Sequence, residues 1–265
     1  MTIELVWPLG AALAAVSLMM LLVFVLARRL RNFGVVDVAW SWAFIPVAGI
    51  YAWLSQGEPS RQALVLTLVC GWSGRLGWHL CRRVAREHPK EDGRYAQLRV
   101  EWGDVTHAKM FWFYQLQGIV LTALSLPFLL IAVNPAPTLA LVEWMGAALV
   151  LAALTGEAVA DWQLHRFKAD PANRGRTCRR GLWGRSRHPN YFFEWLVWVG
   201  FFITALGSPG GVFSVGSPAL ILYFLLTKTG IPATEEQALR TRGDDYRDYQ
   251  KTTSAFVPWF RKAQP

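Results

Sequence analysis

Residues 184–206, GRSRHPNYFFEWLVWVGFFITAL, pass from a basic segment through Pro189 into an apolar one and carry Asn190 and Glu194 across the border. Beyond Glu194 no polar face is set against the apolar one, the pattern of a helix enclosed by protein or by lipid. Composition selects lipid. Of the 265 residues 53% are hydrophobic and 17% charged, and the mean hydropathy is +0.25, whereas a soluble domain has about 25% charged residues. A hydrocarbon core of roughly 30 Å needs about 20 apolar residues per helix. Stretches near that length lie at 4–27, 35–54, 62–81, 111–132, 139–165, 190–206 and 212–228. The expected fold is therefore an all-α integral membrane protein of seven transmembrane helices in a single membrane domain, 1–265. The first stretch opens with MTIELVWPLG, which has Glu4 and no basic flank, so it reads as a retained helix rather than a cleaved signal.

Charge sets the orientation. Lys and Arg concentrate in residues 28–31, 82–109, 166–187 and 228–265, while the alternate connections SQGEPS (55–60), NPAPT (134–138) and GSPGGVFSVGS (207–217) hold none; Arg61 and Arg75 are the exceptions. Basic connections remain cytosolic, which puts the N-terminus outside, the C-terminus in the cytosol and the chemistry at the cytosolic face. The net charge of +9 is then accounted for without a nucleic-acid partner. Cys70, Cys81 and Cys178 show neither paired nor metal-ligand spacing, so reduced thiols and no metal site are expected. A short amphipathic helix around 234–249 and a tail, FVPWF (256–260), that returns to the membrane complete the chain.

A charged side chain inside a span costs about 2.5–3.5 kcal/mol on insertion scales and marks a candidate site. Asp37, Arg75, His79, Glu157, Asp161 and Glu194 are in such positions. Residues four apart share a helix face. Glu157, Asp161 and His165, with Lys168 a turn further, form one stripe; Asn190, Glu194 and Trp198 form a second. Between them lies KADPANRGRTCRRGLWGRSRHP, whose Arg174, Arg176, Arg179, Arg180, Arg185, Arg187 and His188 give the expected pocket a basic mouth. Guanidinium groups bind phosphate, as does a helix start such as that at Pro189. Carboxylate and amide groups deeper in suit ribose hydroxyls or a carboxamide, so a dinucleotide satisfies both ends and could deliver hydride to a lipid-soluble acceptor.

These motifs, GEAVADWQLHRFK (156–168), GLWGRSRHPNYFFEWLVWVG (181–200) and LRTRGDDYRDYQKTTSAFVPWF (239–260), resemble the C-terminal region of the steroid 5-alpha-reductase family, in particular its bacterial branch. DVAW (37–40), GRLGWHL (74–80), DGRYAQLR (92–99) and FYQLQG (113–118) extend the likeness over nearly the whole chain. The resemblance implies seven membrane helices in a bacterial inner membrane, the last four binding NADPH, and reduction of the carbon–carbon double bond of an enone such as a 3-oxo-4-ene steroid or an isoprenoid. It implies a substrate side over 1–110 and a cofactor side over 111–265. By motif position Asp161, Lys168 and Arg176 resemble cofactor-binding residues, and Asn190, Glu194 and Trp198 resemble those lining the nicotinamide end. Where eukaryotic members carry glycine between the asparagine and the glutamate, this chain has Phe193. The family polarises the substrate carbonyl with a glutamate and a tyrosine; Asp37 and His79 are the nearest candidates here, with Tyr95 a further possible donor and a buried, neutral Asp37 one way to supply the proton. Hydride addition to an enone places negative charge on that oxygen, so a donor there lowers the barrier.

Two other readings stay open. Membrane methyltransferases of the isoprenylcysteine and phospholipid type, which use S-adenosylmethionine, share RHPNY-like stretches and a C-terminal pattern present here as Glu235, Glu236, Leu239, Tyr246 and Tyr249; Glu235 and Tyr246 thereby join the candidate cofactor-binding residues. A non-catalytic lipid-binding protein, its arginines holding anionic headgroups, is the third. The expected partners are a lipid-soluble small-molecule substrate and membrane lipids, with the chain acting as a monomer.

Overall fold

The computed structural model describes residues 2–228 and 230–260; Arg261 and Lys262 of the last basic segment lie outside them. The described residues form helices α1 (Thr2–Leu30), α2 (Val35–Leu54), α3 (Pro59–Glu87), α4 (Gly93–Trp102), α5 (Thr106–Leu124), α6 (Leu126–Ala132), α7 (Leu141–Ala169), α8 (Pro189–Ala205), α9 (Gly216–Thr227), α10 (Ile231–Arg242) and α11 (Asp244–Thr252), joined by short 3-10 turns. Among the described residues the extended structure amounts to one isolated bridge, Ser186 with Ser254. All seven expected stretches are helical in whole or part. Four segments are long and apolar enough to cross a membrane: Glu4–Leu30, Val35–Leu54, Leu141–Ala169 and Gly211–Arg242. A fifth is added if Gly93–Leu124 and Leu126–Ala132, bent by 42°, are one span. The reasons the others fall short are physical. α3 carries Arg61, Arg75 and His79, and α8 has 17 residues; the last stretch lies within Gly211–Arg242.

Helix ends follow the local sequence. Pro59 opens α3, where a missing N–H is harmless. The Asp92 carboxylate caps α4 by accepting from the Arg94 amide at 3.0 Å. The α5–α6 break falls at Ser125, just before Leu126–Pro127, where the proline removes a helical N–H. The helix expected over 234–249 is two helices, because Gly243 ends α10 at φ +53° and ψ −123°, a backbone conformation that favours glycine, and α11 starts at once.

The chain divides into two compact units, Met1–Leu141 with Ala205–Ser214, and Val142–Thr204 with Val215–Pro265. In the first, α5 and α6 pack with α1–α3, so the fourth apolar stretch belongs with the first three. Its core includes Phe44, Trp72 and Phe128. The connections without basic residues meet at one end of this unit. The Glu58 amide donates to the Asn134 carbonyl at 2.9 Å, Ser55 Oγ to the Ala132 carbonyl at 2.9 Å, and Asn134 Nδ2 to the Gly207 carbonyl at 3.0 Å. A Cβ on Gly57 would stand 1.9 Å from the Ala132 carbonyl oxygen, so only glycine fits. Arg61, the exception in the charge map, is buried here and donates from Nη1 and Nη2 to the Ala136 and Thr138 carbonyls. It serves as a cap for a turn in place of a cytosolic charge.

Truncating Arg61 leaves those carbonyls short of donors, at about 1–3 kcal/mol each. Arg61→Ala is expected to lower the unfolding temperature in detergent, followed by tryptophan fluorescence, and Arg61→Lys, which cannot bridge two carbonyls in a plane, to recover less than half of the loss.

Candidate functional site

The second unit is built around α7 and α8. They cross where neither has a side chain: a Cβ on Gly146 would stand 2.3 Å from Thr204 N, and one on Gly200 2.9 Å from Val150 N. One end of the seam is thus closed backbone to backbone. Further along, a Cβ on Gly156 would meet the Phe193 ring, 2.3–2.6 Å away, so a ring fills the space between the helices. These contacts pair 146 with 204, 150 with 200 and 156 with 193, an antiparallel register that brings Asp161 level with the first turn of α8. The two stripes expected from the sequence therefore lie at the same level of the paired helices. Glu157 is buried, Asp161 half-buried, and His165 and Lys168 exposed. Across from them Asn190 and Glu194 are half-buried and Trp198 is buried. The Trp198 indole donates to Glu194 Oε1 at 3.0 Å, which orients the carboxylate by the i, i+4 spacing read in the sequence.

The loop between the helices is held on two sides. Toward α7, the Leu182 amide donates to Gln163 Oε1 at 2.9 Å and the Trp183 indole to the Ala160 carbonyl at 2.8 Å. Toward α11, the Tyr249 hydroxyl donates to the carbonyls of Trp183 and Ser186. The Thr177 amide donates to Asp245 Oδ2 at 2.7 Å and Arg179 Nη2 to Asp245 Oδ1 at 2.8 Å. Burial by itself would raise the Asp245 carboxyl; hydrogen bonds from Thr177 and the Arg179 charge hold it below the ordinary 3.8.

The RHP segment turns inward. Arg187 Nε donates to Glu235 Oε1 at 2.6 Å, and its Nη1 to the carbonyls of Gln250 at 3.1 Å and Thr253 at 2.6 Å. His188 is buried, its Nε2 lies 3.2 Å from the same Glu235 oxygen and its ring stacks on Tyr191. Tyr246 donates to Glu235 Oε1 at 3.3 Å and Gln250 Nε2 to Oε2 at 2.8 Å. Burial, then the nearby Glu235 carboxylate, push the Tyr246 phenol above its ordinary range, so it stays a donor. Arg187, His188, Glu235 and Tyr246 thus form one joint that sets the start of α8, and Arg187 and His188 are bound to it rather than turned to the mouth. Arg185 is exposed, its guanidinium 5.3 Å from the centre of the Phe260 ring. The exposed cations of the mouth are Lys168, Arg174, Arg176, Arg180 and Arg185. Nothing local in the sequence signals the Glu235 joint, since its partners stand 47 and 48 residues away.

In the first unit the structure pairs Asp37 with Tyr95. The Tyr95 hydroxyl donates to Asp37 Oδ1 at 2.6 Å, and Arg94 Nη2 reaches both Asp37 oxygens at 2.9 and 3.0 Å and the Tyr95 oxygen at 2.8 Å. Asp37 is thus a hydrogen-bond acceptor in an ion pair. His79 is exposed on α3.

An all-α chain with several helices fit to span a bilayer and a polar seam under a basic loop is an integral membrane protein with a candidate ligand site. It belongs to the family described as Protein of unknown function (DUF1295), whose family model matches residues 23–253 and so takes in every candidate residue from Asp37 to Tyr249. No curated protein and no solved structure matches the chain.

Removing the Glu235 carboxylate leaves Arg187 and His188 enclosed without their acceptor. Glu235→Ala is expected to destabilise the protein by about 3 kcal/mol, read by thermal unfolding, and Glu235→Gln to recover part of it. For Asp245 the folded value is the lower one, so its bonds contribute fully above about pH 4 and are lost as the pH falls through that folded value. Amide exchange over 176–180, corrected for intrinsic rate, should rise between about pH 6 and about pH 3; Asp245→Asn should remove most of this dependence.

Proposed function

We propose that this protein is a membrane reductase that uses NADPH to reduce the carbon–carbon double bond of a lipid-soluble enone, steroid-like or isoprenoid. The observation that carries the reading is the seam between α7 and α8, whose register puts Glu157 and Asp161 on one helix level with the turns of the other that carry Asn190 and Glu194, next to a loop of exposed arginines. These residues suit the two ends of the cofactor. Lys168, Arg174, Arg176 and Arg180 would neutralise its phosphates, and the half-buried Asp161, Asn190 and Glu194 would accept from or donate to ribose and carboxamide groups. When bound, NADPH supplies the hydride. Glu194, braced by Trp198, orients the reacting end, and the aromatic surroundings of α8 exclude water. His79, exposed on α3, is the candidate donor to the substrate carbonyl, since Tyr95 already donates its one hydroxyl proton to Asp37.

The reductase reading is favoured over the methyltransferase one because Glu235, Tyr246 and Tyr249 already hold the α8 start and the 181–186 turn, and Glu236 pairs with Arg240 on the exposed face of α10. We place all seven apolar stretches across the bilayer of a bacterial inner membrane, N-terminus outside and C-terminus cytosolic, the chain acting as a monomer. The clustering of the three basic-free connections supports this topology, and cysteine-accessibility labelling from each side tests it.

NADPH is expected to raise the unfolding temperature of the purified protein, with NADH weaker. Asp161→Asn and Glu194→Gln should each weaken NADPH binding by about tenfold, or 1.4 kcal/mol. His79→Ala should lower the enone-dependent rate of NADPH oxidation about a hundredfold with little change in NADPH affinity. Stabilisation by S-adenosylmethionine and not by NADPH would overturn the reading.

A further inference from the structure

The α7–α8 seam has a floor. Phe193 projects from α8 onto Gly156, where any Cβ would overlap the ring at 2.3–2.6 Å. The ring is braced from its own helix: it lies 5.5 Å from Phe192, centre to centre, and Phe192 in turn packs at 5.6 Å on Phe256. Phe256 belongs to the returning tail, which is tied down where Ser186 Oγ donates to its carbonyl at 2.7 Å. Moving Phe193 therefore means moving an aromatic cluster and the tail behind it, and packed interiors resist such shifts. Phe193 stands next to Glu194 and one turn from Asn190, at the depth of Glu157.

We infer that the Phe193 ring, seated in the notch of Gly156, is a size filter that restricts the acceptor to a narrow enone, an open chain or a single ring, and excludes fused polycyclic ones. This deepens the reductase reading and rests on it. The seam is closed by backbone contact at Gly146 and Gly200 and is filled by one aromatic ring at Gly156. A group that enters the seam beside Glu194 therefore meets the Phe193 ring. A chain passes along the seam edge-on, whereas a fused ring system must displace Phe193. Gly156 and Phe193 act as one unit in this, since the ring has its place only because position 156 lacks a side chain.

The test compares two acceptors, a linear isoprenoid enal and a 3-oxo-4-ene steroid, by kcat/KM for NADPH oxidation in the wild type, Phe193→Ala, Phe193→Leu, Gly156→Ala and the Gly156→Ala/Phe193→Ala double variant. The wild type should prefer the linear enal by about tenfold or more, and Phe193→Ala should shift the ratio toward the steroid by about tenfold, within the range expected for reshaping an apolar pocket. Phe193→Leu, which keeps an apolar filler, should shift it less and serves if the alanine variant does not fold. Gly156→Ala should lower the unfolding temperature and the second substitution restore it, the coupling expected of groups in contact. A wild type that turns over both acceptors equally, or a ratio that Phe193→Ala and Phe193→Leu leave unchanged, overturns the filter while NADPH binding keeps the reductase reading. A wild type that neither binds nor oxidises NADPH overturns both.

Discussion

Glu235 accepts hydrogen bonds from Arg187, His188, Tyr246 and Gln250, and the shape of the second unit follows from that convergence. The segment it holds is the border between the basic loop and α8, where direction must be set before Asn190 and Glu194 can point anywhere in particular. A guanidinium enclosed at this border would be costly without an acceptor. Because one carboxylate serves both Arg187 and His188, the chain enters α8 in a single orientation. The tail from Thr253 to Phe256 then lies along the same border, with the Arg187 amide donating to Ser254 at 2.8 Å and Phe256 packing on Phe192 and Trp195.

The same device recurs at both ends of the first unit. Arg61 closes the basic-free connections by donating to two carbonyls. At the opposite ends of α1 and α2, Glu91 accepts from the Phe33 amide at 2.7 Å and from Arg99, while Arg94 and Tyr95 converge on Asp37. In each case a planar guanidinium, with donors in a fixed fork, joins segments distant in sequence. Several arginines of a strongly basic chain are therefore structural. Others, among them Arg174, Arg176, Arg180 and Arg185 between α7 and α8, are exposed.

Much of the fold was legible in the sequence because it depends on local periodicity. The apolar stretches are helical where expected, and the Glu194–Trp198 contact follows from spacing alone. Elements read less well where composition and geometry part. α3 is helical over its full length yet too polar to count as a span, and the 234–249 helix is divided by a glycine that hydropathy does not register. At the site, the basic residues of the RHP motif looked equivalent, but burial separates Arg187 and His188 from Arg185.

The sequence by itself determined which stretches are helical, where charge is excluded, and which polar residues share a helix face, since each of these is a property of residues a few positions apart. Tertiary structure decided the pairings: Arg187 with Glu235, Asp37 with Tyr95, and the Phe193 ring with the notch at Gly156. These depend on which helices approach and how closely. A carboxylate takes whichever donors packing brings to it, and a phenyl ring fits only where the facing helix lacks a side chain.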